Sequence, residues 1–214
     1  MAWISLKTQN LPTLALVMIG QVSIAYALSN PGFDWSSIEV FSPDTVVVSL
    51  IVLVAALFSS LLPASVKHQL VFLRQKNALP GHRFLQLAEH DQRIDLLRLK
   101  QQVQPLVRLN VTEEQQNRVW YQNIYHPHQN APLVKSAHKA FLQWRDSMVV
   151  SIFIALLLAV GVQTLPAVAV AFSPFSFLVS VFFVVATGCA AHHNGKRMVT
   201  NAVVVWLLKP SVCQ

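Results

Sequence analysis

Four stretches of the chain carry no charged residue: Leu11–Leu28, Val46–Leu62, Met148–Leu165 and Phe172–Ala191, of 18, 17, 18 and 20 residues. A helix that crosses a bilayer needs about 20 consecutive apolar residues, with a range of about 17 to 25. A surface helix of a water-soluble domain shows one apolar stripe instead. The pattern therefore predicts an all-α membrane protein with four transmembrane helices. The first stretch has a rival reading, because Lys7, the apolar run and Ala25-Tyr26-Ala27 resemble a signal peptide with its small-residue cleavage site. It is read as a retained membrane helix.

The polar positions concentrate between the second and third stretches. Ala64 to Asp146, 83 residues, is long enough for a small helical cytoplasmic subdomain. Apolar Val66, Leu70, Leu73 and Leu79 predict that span two continues as a helix over 66–79, to be stopped by Pro80-Gly81. Phe84, Leu85, Leu87 and Ala88 predict a short helix. Asp95 is placed to cap a helix over 96–103, ending before Pro105. Thr112 and Gln115 have capping-box spacing and open a helix over 113–125. Pro127, Asn130 and Pro132 predict a loop. Residues 133–145 are helical and run into span three. No alternation long enough for a strand is present. Met198 to Leu208, apolar at helical spacing but only 11 residues, is either an interfacial helix or an extension of span four. The expected organisation is a first transmembrane hairpin (1–63), the subdomain (64–146), a second hairpin (147–191) and a C-terminal helix and tail (192–214).

Composition agrees with the pattern. Hydrophobic residues make up 54% of the 214 and charged residues 12%, about half the charge of an average soluble domain. Disorder is excluded for the same reason. Cys189 and Cys213 are too few for a disulfide framework. The net charge of +7 is unevenly placed. The segment 29–45 carries Asp34, Glu39 and Asp44 and no Lys or Arg, and the segment between spans three and four is uncharged and turn-like, with Pro166, Ser173 and Pro174. Lys7, twelve basic residues from Lys67 to Arg145, and Lys196, Arg197 and Lys209 account for all 16 cations. Loops rich in Lys and Arg stay in the cytoplasm. This threading puts both termini and the long central region on the cytoplasmic side, where anionic leaflet lipids also attract the charge. Nucleic-acid binding is not required to explain it.

Candidate chemistry is sparse. No P-loop, GxSxG, HExxH or Ser-His-Asp spacing occurs, and the spans hold no ionisable residue, which argues against pumping and intramembrane acid–base catalysis. His126-x-His128 and His192-His193 lack the i, i+4 geometry of strong metal sites, and His82, His90 and His138 are read as hydrogen-bonded packing residues. No metal and no cofactor is expected. Arg83, Asp91, Arg93, Asp95, Arg145 and Asp146 are read chiefly as structural ion pairs, with a phosphate or nucleotide pocket built from Arg83 and Arg93 as the alternative. Trp120, Tyr121 and Tyr125 are read chiefly as core. If a partner or ligand docks on this region, Arg83, Asp91, Arg93, Trp120, Tyr121 and Tyr125 are the residues that hold it. Within the spans, Gln21, Ser49, Ser151 and Gln163 are uncharged polar groups that hydrogen-bond between helices or, in a homo-oligomer, line a water-filled passage.

Pro80-Gly81-His82-Arg83, Asp91-Gln92-Arg93-Ile94-Asp95, Asn117 with Trp120-Tyr121 and Tyr125, and His138 with Phe141-Leu142 and Arg145-Asp146 resemble a widespread group of bacterial four-span membrane proteins. The architecture is similar to membrane subunits of phage-defence systems, including the membrane partner in Kiwa-like systems. That resemblance implies the bacterial inner membrane as location. It also implies an oligomeric, non-enzymatic subunit or effector that binds a cytosolic protein partner or signal and senses or perturbs the bilayer. Two other functions are compatible with the residues. One is a passive anchor or immunity-type protein without conductance. The other is a small enzyme with a cytoplasmic-interface site using His82, His126, His128 or Asp91.

Overall fold

The computed structural model describes residues 9–32, 42–106 and 112–208. Lys7, Asp34, Glu39, Lys209 and Cys213, used above for charge and cysteine arguments, lie outside them. Every regular element among the described residues is helical. In chain order they are α1 (Leu11–Ser29), α2 (Pro43–Leu61), α3 (Ala64–Phe72), a 3-10 turn (Pro80–Arg83), α4 (Phe84–Glu89), α5 (Leu96–Val103), α6 (Glu113–Val119), a π turn (Trp120–Tyr125), a 3-10 turn (His126–His128), α7 (Pro132–Thr164), α8 (Pro166–Ala171) and α9 (Ser176–Leu208). Four of them, α1, α2, α7 and α9, are long and apolar enough to cross a membrane.

Several boundaries follow from local chemistry. Ser42 caps α2, its hydroxyl accepting from the Thr45 amide at 3.2 Å, with Pro43 in the first turn. This starts the helix three residues before the apolar run. Asp95 accepts from the amides of Leu97 and Arg98 and opens α5 as expected. Thr112 and Gln115 form the reciprocal capping box at α6.

The chain departs from its sequence pattern in four places. Span two does not continue over 66–79. Leu62 is extended (φ −72°, ψ 130°) because the ring of Pro63 disfavours helical geometry in the residue before it. A separate helix, α3, follows and ends at Phe72, where Leu73 turns left-handed at φ 51°. Pro80-Gly81 opens a 3-10 turn instead of ending a helix. The helix over 113–125 changes to π geometry at Trp120. The segment after span three, expected to be turn-like, contains α8. By contrast, 133–145 and span three form one helix, and Met198–Leu208 extends span four within α9. At 33 residues each, α7 and α9 run about 50 Å, longer than the roughly 30 Å hydrocarbon core.

The described residues divide into two compact units, one within 1–67 and 143–189 and the other within 68–142 and 190–208. In the first, Met18, Val22 and Ala25 of α1, Ile51 and Ala55 of α2, and Val150, Ile154 and Leu158 of α7 form the core with Val168, Ala171 and Phe172. The i, i+4 spacing puts each set on one helix face. Outward faces carry large apolar side chains, among them Leu16 (70% exposed), Leu53 (56%) and Phe182 (67%). Bare apolar surface of this kind suits lipid and is unfavourable in water. Helix ends are tied by polar contacts: Tyr26 donates to Asp44 at 2.7 Å, and Asn30 donates to the Ala171 carbonyl at 3.0 Å.

The second unit has its own core of Phe72, Phe84, Leu99, Ile124, Val134, Phe141, Val199 and Val203. Gly195 lets α9 approach closely, since a Cβ there would lie 2.6 Å from Phe72 and 3.1 Å from Phe141.

Candidate functional site

A cleft of about 690 Å³ opens in the second unit, within the usual range for small-molecule sites. The turn Pro80–Arg83 brings Arg83 to its wall, and the segment after α4 brings Asp91 and Arg93. Helix α9 brings His193, Lys196 and Arg197. His193, Lys196, Arg197 and Thr200 share a face of α9 because they are spaced three, four and seven positions apart. Four cations therefore meet a single carboxylate in the lining.

The cations are not equivalent. Arg93 grips Asp91 as a fork, Nε donating to Oδ1 at 2.9 Å and Nη2 to Oδ2 at 2.7 Å. It also reaches Thr200 Oγ1 at 3.3 Å. These bonds hold the Asp91 carboxyl down at about 2, against the opposing effect of burial, and raise the Arg93 guanidinium above its ordinary value. That pair is closed on itself. Arg83 is different: its Nε is buried and has no hydrogen-bond partner. Burial, with Arg74 nearby, lowers the Arg83 pKa from its ordinary value, opposed by Glu113. Among the described residues, Arg83, Lys196 and Arg197 take part in no ion pair.

Behind the Arg83 turn lies an aromatic and amide layer. Gly81 is buried against α6 and the π turn, and a Cβ there would lie 2.5 Å from Asn117 Oδ1 and 2.6 Å from Trp120 Cε3. Trp120 stacks on Tyr125 with ring centroids 5.1 Å apart, and Tyr121 stacks on Tyr125 at 5.7 Å. Residues five apart on an α-helix point roughly 140° from each other, so the π turn is what brings Trp120 and Tyr125 face to face. Trp120 and Tyr125 are buried, while Tyr121 is half exposed. Tyr125 meets His138 Nδ1 at 2.8 Å through its hydroxyl. Burial, helped by Tyr121, pushes that hydroxyl up to about 12.

The sequence-derived candidates are thus brought together in part. Arg83, Asp91 and Arg93 line the cleft. Trp120, Tyr121 and Tyr125 form a stack that is not in its lining. Asp95 is a helix cap and takes part in no ion pair among the described residues. Arg145 pairs with Asp146 at 2.9 Å, and Asp146 also takes Lys67 at 3.3 Å, all three buried in the first unit. Pairing with the carboxylate offsets part of the cost of burying the two cations. Gln21 and Ser151 are buried and bonded to each other at 2.7 Å, and Ser49 and Gln163 are exposed. His128 is buried with Nδ1 at 2.8 Å from the Ile124 carbonyl, whereas His126 is exposed, so the two do not converge. His82 and His90 bond the carbonyls of Leu79 and Gln86. No three His, Cys, Asp or Glu side chains come together among the described residues.

Sequence reasoning did not connect Lys196 and Arg197 to Arg83, nor Lys67 to Asp146. The available signal was the polar face His193-Lys196-Arg197-Thr200 appearing where α9 ceases to be uniformly apolar. No protein family matches this chain, and no curated protein or solved structure matches it.

Proposed function

We propose that the chain is a multi-pass, oligomeric subunit of the bacterial inner membrane. Its second unit lies on the cytoplasmic side and receives an anionic signal or the acidic face of a cytosolic partner. It acts without catalysis, and phage defence is its setting. The observation that carries this reading is the cleft lined by Arg83, Lys196 and Arg197, none of which has an ion-pair partner among the described residues. Concentrated unneutralised charge raises the local concentration of anions and speeds their capture. A second feature supports the membrane role: α9, which carries the cleft residues Lys196 and Arg197, is one of the helices long and apolar enough to cross a membrane. A ligand shifts such helices only through a difference in affinity between two states. The mutual bond of Gln21 and Ser151 favours packing within the bundle over a water-lined passage through the single chain.

Two measurements test the reading. In a chain with Cys189 and Cys213 replaced by serine, Gln86→Cys at the cleft is expected to react with an impermeant maleimide in inverted inner-membrane vesicles and not in intact spheroplasts; labelling in spheroplasts overturns the sidedness. Phage plating on cells carrying the chain in its native operon is expected to lose restriction when Lys196→Glu and Arg197→Glu are combined, with unchanged amounts in the membrane. Undiminished restriction removes the cleft from the function.

A further inference from the structure

We infer that the cleft is a binding site for a phosphate monoester, with the Arg83 guanidinium and the cations of α9 as its ligands. The inference rests on the reading of the cleft as an anion receptor and names the chemistry of what it receives. Arg83 lines the cleft without an ion-pair partner among the described residues, and its buried Nε forfeits a hydrogen bond. A tetrahedral oxyanion suits the guanidinium that lines the cleft, because a planar fork of N–H donors matches two of its oxygens. Lys196 and Arg197 then supply charge from the opposite segment of chain, which suits a group carrying close to two negative charges near neutral pH.

The neighbouring pair sets which cations are available. Arg93 is already spent on Asp91 through two charge-assisted bonds, and the Asp91 carboxylate stays ionised under all physiological conditions. That pairing leaves Arg93 unavailable to a ligand, so the free cations of the cleft are Arg83, Lys196 and Arg197 among the described residues. Leu87 in the lining offers apolar contact, and Gln86 and Gln92 offer amide donors and acceptors. The volume of about 690 Å³ exceeds what a bare phosphate fills, so the site accommodates an organic moiety attached to it. A mononucleotide and the headgroup of a phosphatidic acid both present this chemistry.

The test uses the full chain in phosphatidylcholine nanodiscs. Inorganic phosphate and adenosine monophosphate are each titrated by calorimetry and by thermal shift, and the measurements are repeated in nanodiscs containing phosphatidic acid. Saturable binding in phosphatidylcholine supports a soluble source of the phosphate. An upward thermal shift confined to phosphatidic acid discs, abolished by Lys196→Ala with Arg197→Ala, supports the lipid headgroup. Arg83→Lys, which keeps the charge and loses the fork, is expected to weaken binding at least tenfold. Exposed Arg98→Ala is expected to change it less than twofold. Because Arg83 is partly buried, the double variant Lys196→Ala with Arg197→Ala provides a second test on side chains that do not build the core, with the same tenfold loss expected. Absence of binding by phosphate, mononucleotide and phosphatidic acid alike overturns the inference, as does wild-type affinity in both variants. If phage restriction still depends on Lys196 and Arg197 in that case, the anion receptor stands and its ligand is an acidic protein surface.

Discussion

Ser151 donates a 2.7 Å hydrogen bond to Gln21 Oε1, joining side chains 130 positions apart in the core of the first unit. The Gln21 amide nitrogen is buried without a partner. Ser151→Ala is expected to leave the carbonyl unpaired as well and to lower stability by about 0.6–2 kcal/mol, the span from membrane-protein mutant cycles to model peptides for interhelical bonds. Gln21→Leu combined with Ser151→Ala removes both polar groups and is expected to recover most of that loss. Thermal unfolding of the detergent-solubilised variants checks both, and a double variant weaker than the single one contradicts the pairing.

The Asp146 carboxylate accepts from two buried cations, Arg145 at 2.9 Å and Lys67 at 3.3 Å. Asp146→Asn leaves two buried positive charges without it. A loss of about 3–5 kcal/mol is expected, as for other buried pairs broken from one side. Lys67→Met, which leaves the Arg145–Asp146 pair in place, is expected to cost less. Folded yield and unfolding midpoints in one detergent rank the two, and the reverse order counts against this account.

Gly81 sits where the Arg83 turn meets Asn117 and Trp120. Gly81→Ala forces the turn or the indole to move, at a cost of about 1–3 kcal/mol typical of overpacking. Because the same turn carries Arg83, phosphate binding is expected to fall together with stability. Calorimetry on the variant decides, and unchanged affinity in a destabilised chain would separate the turn from the site.

Tyr125 gives a pH dependence with a definite sign. Its hydroxyl ionises near 10 in an unfolded chain and at about 12 in the folded one. Between those values the unfolded state gives up the proton and the folded state keeps it. Stability is therefore full below about pH 10 and falls as pH rises through the window. Denaturant midpoints at pH 9.5, 10.5 and 11.5 are expected to show that slope. Tyr125→Phe is expected to flatten it while lowering the midpoint at every pH through loss of the bond to His138.

The four apolar helices, the Asp95 and Thr112 caps and the continuity of residues 133–145 with span three were legible in the amino-acid order. Such features depend on a residue and its neighbours within a turn or two: continuous apolar character, a capping oxygen, a proline. The break at Leu62 was legible in principle from Pro63, but the apolar positions beyond it imitate an uninterrupted helix. Tertiary structure alone decided which polar groups meet. Gln21 found Ser151, Lys67 found Asp146, and Arg83 came to share a cleft with Lys196, more than a hundred positions away. The Asp91–Arg93 pair, two positions apart, is by contrast a local contact that the reading of these residues as structural ion pairs already allowed. The reason is physical: a helix face fixes the direction of a side chain to within part of a turn, but a partner on another helix depends on crossing geometry and on small residues such as Gly81 and Gly195, which set how closely two backbones approach.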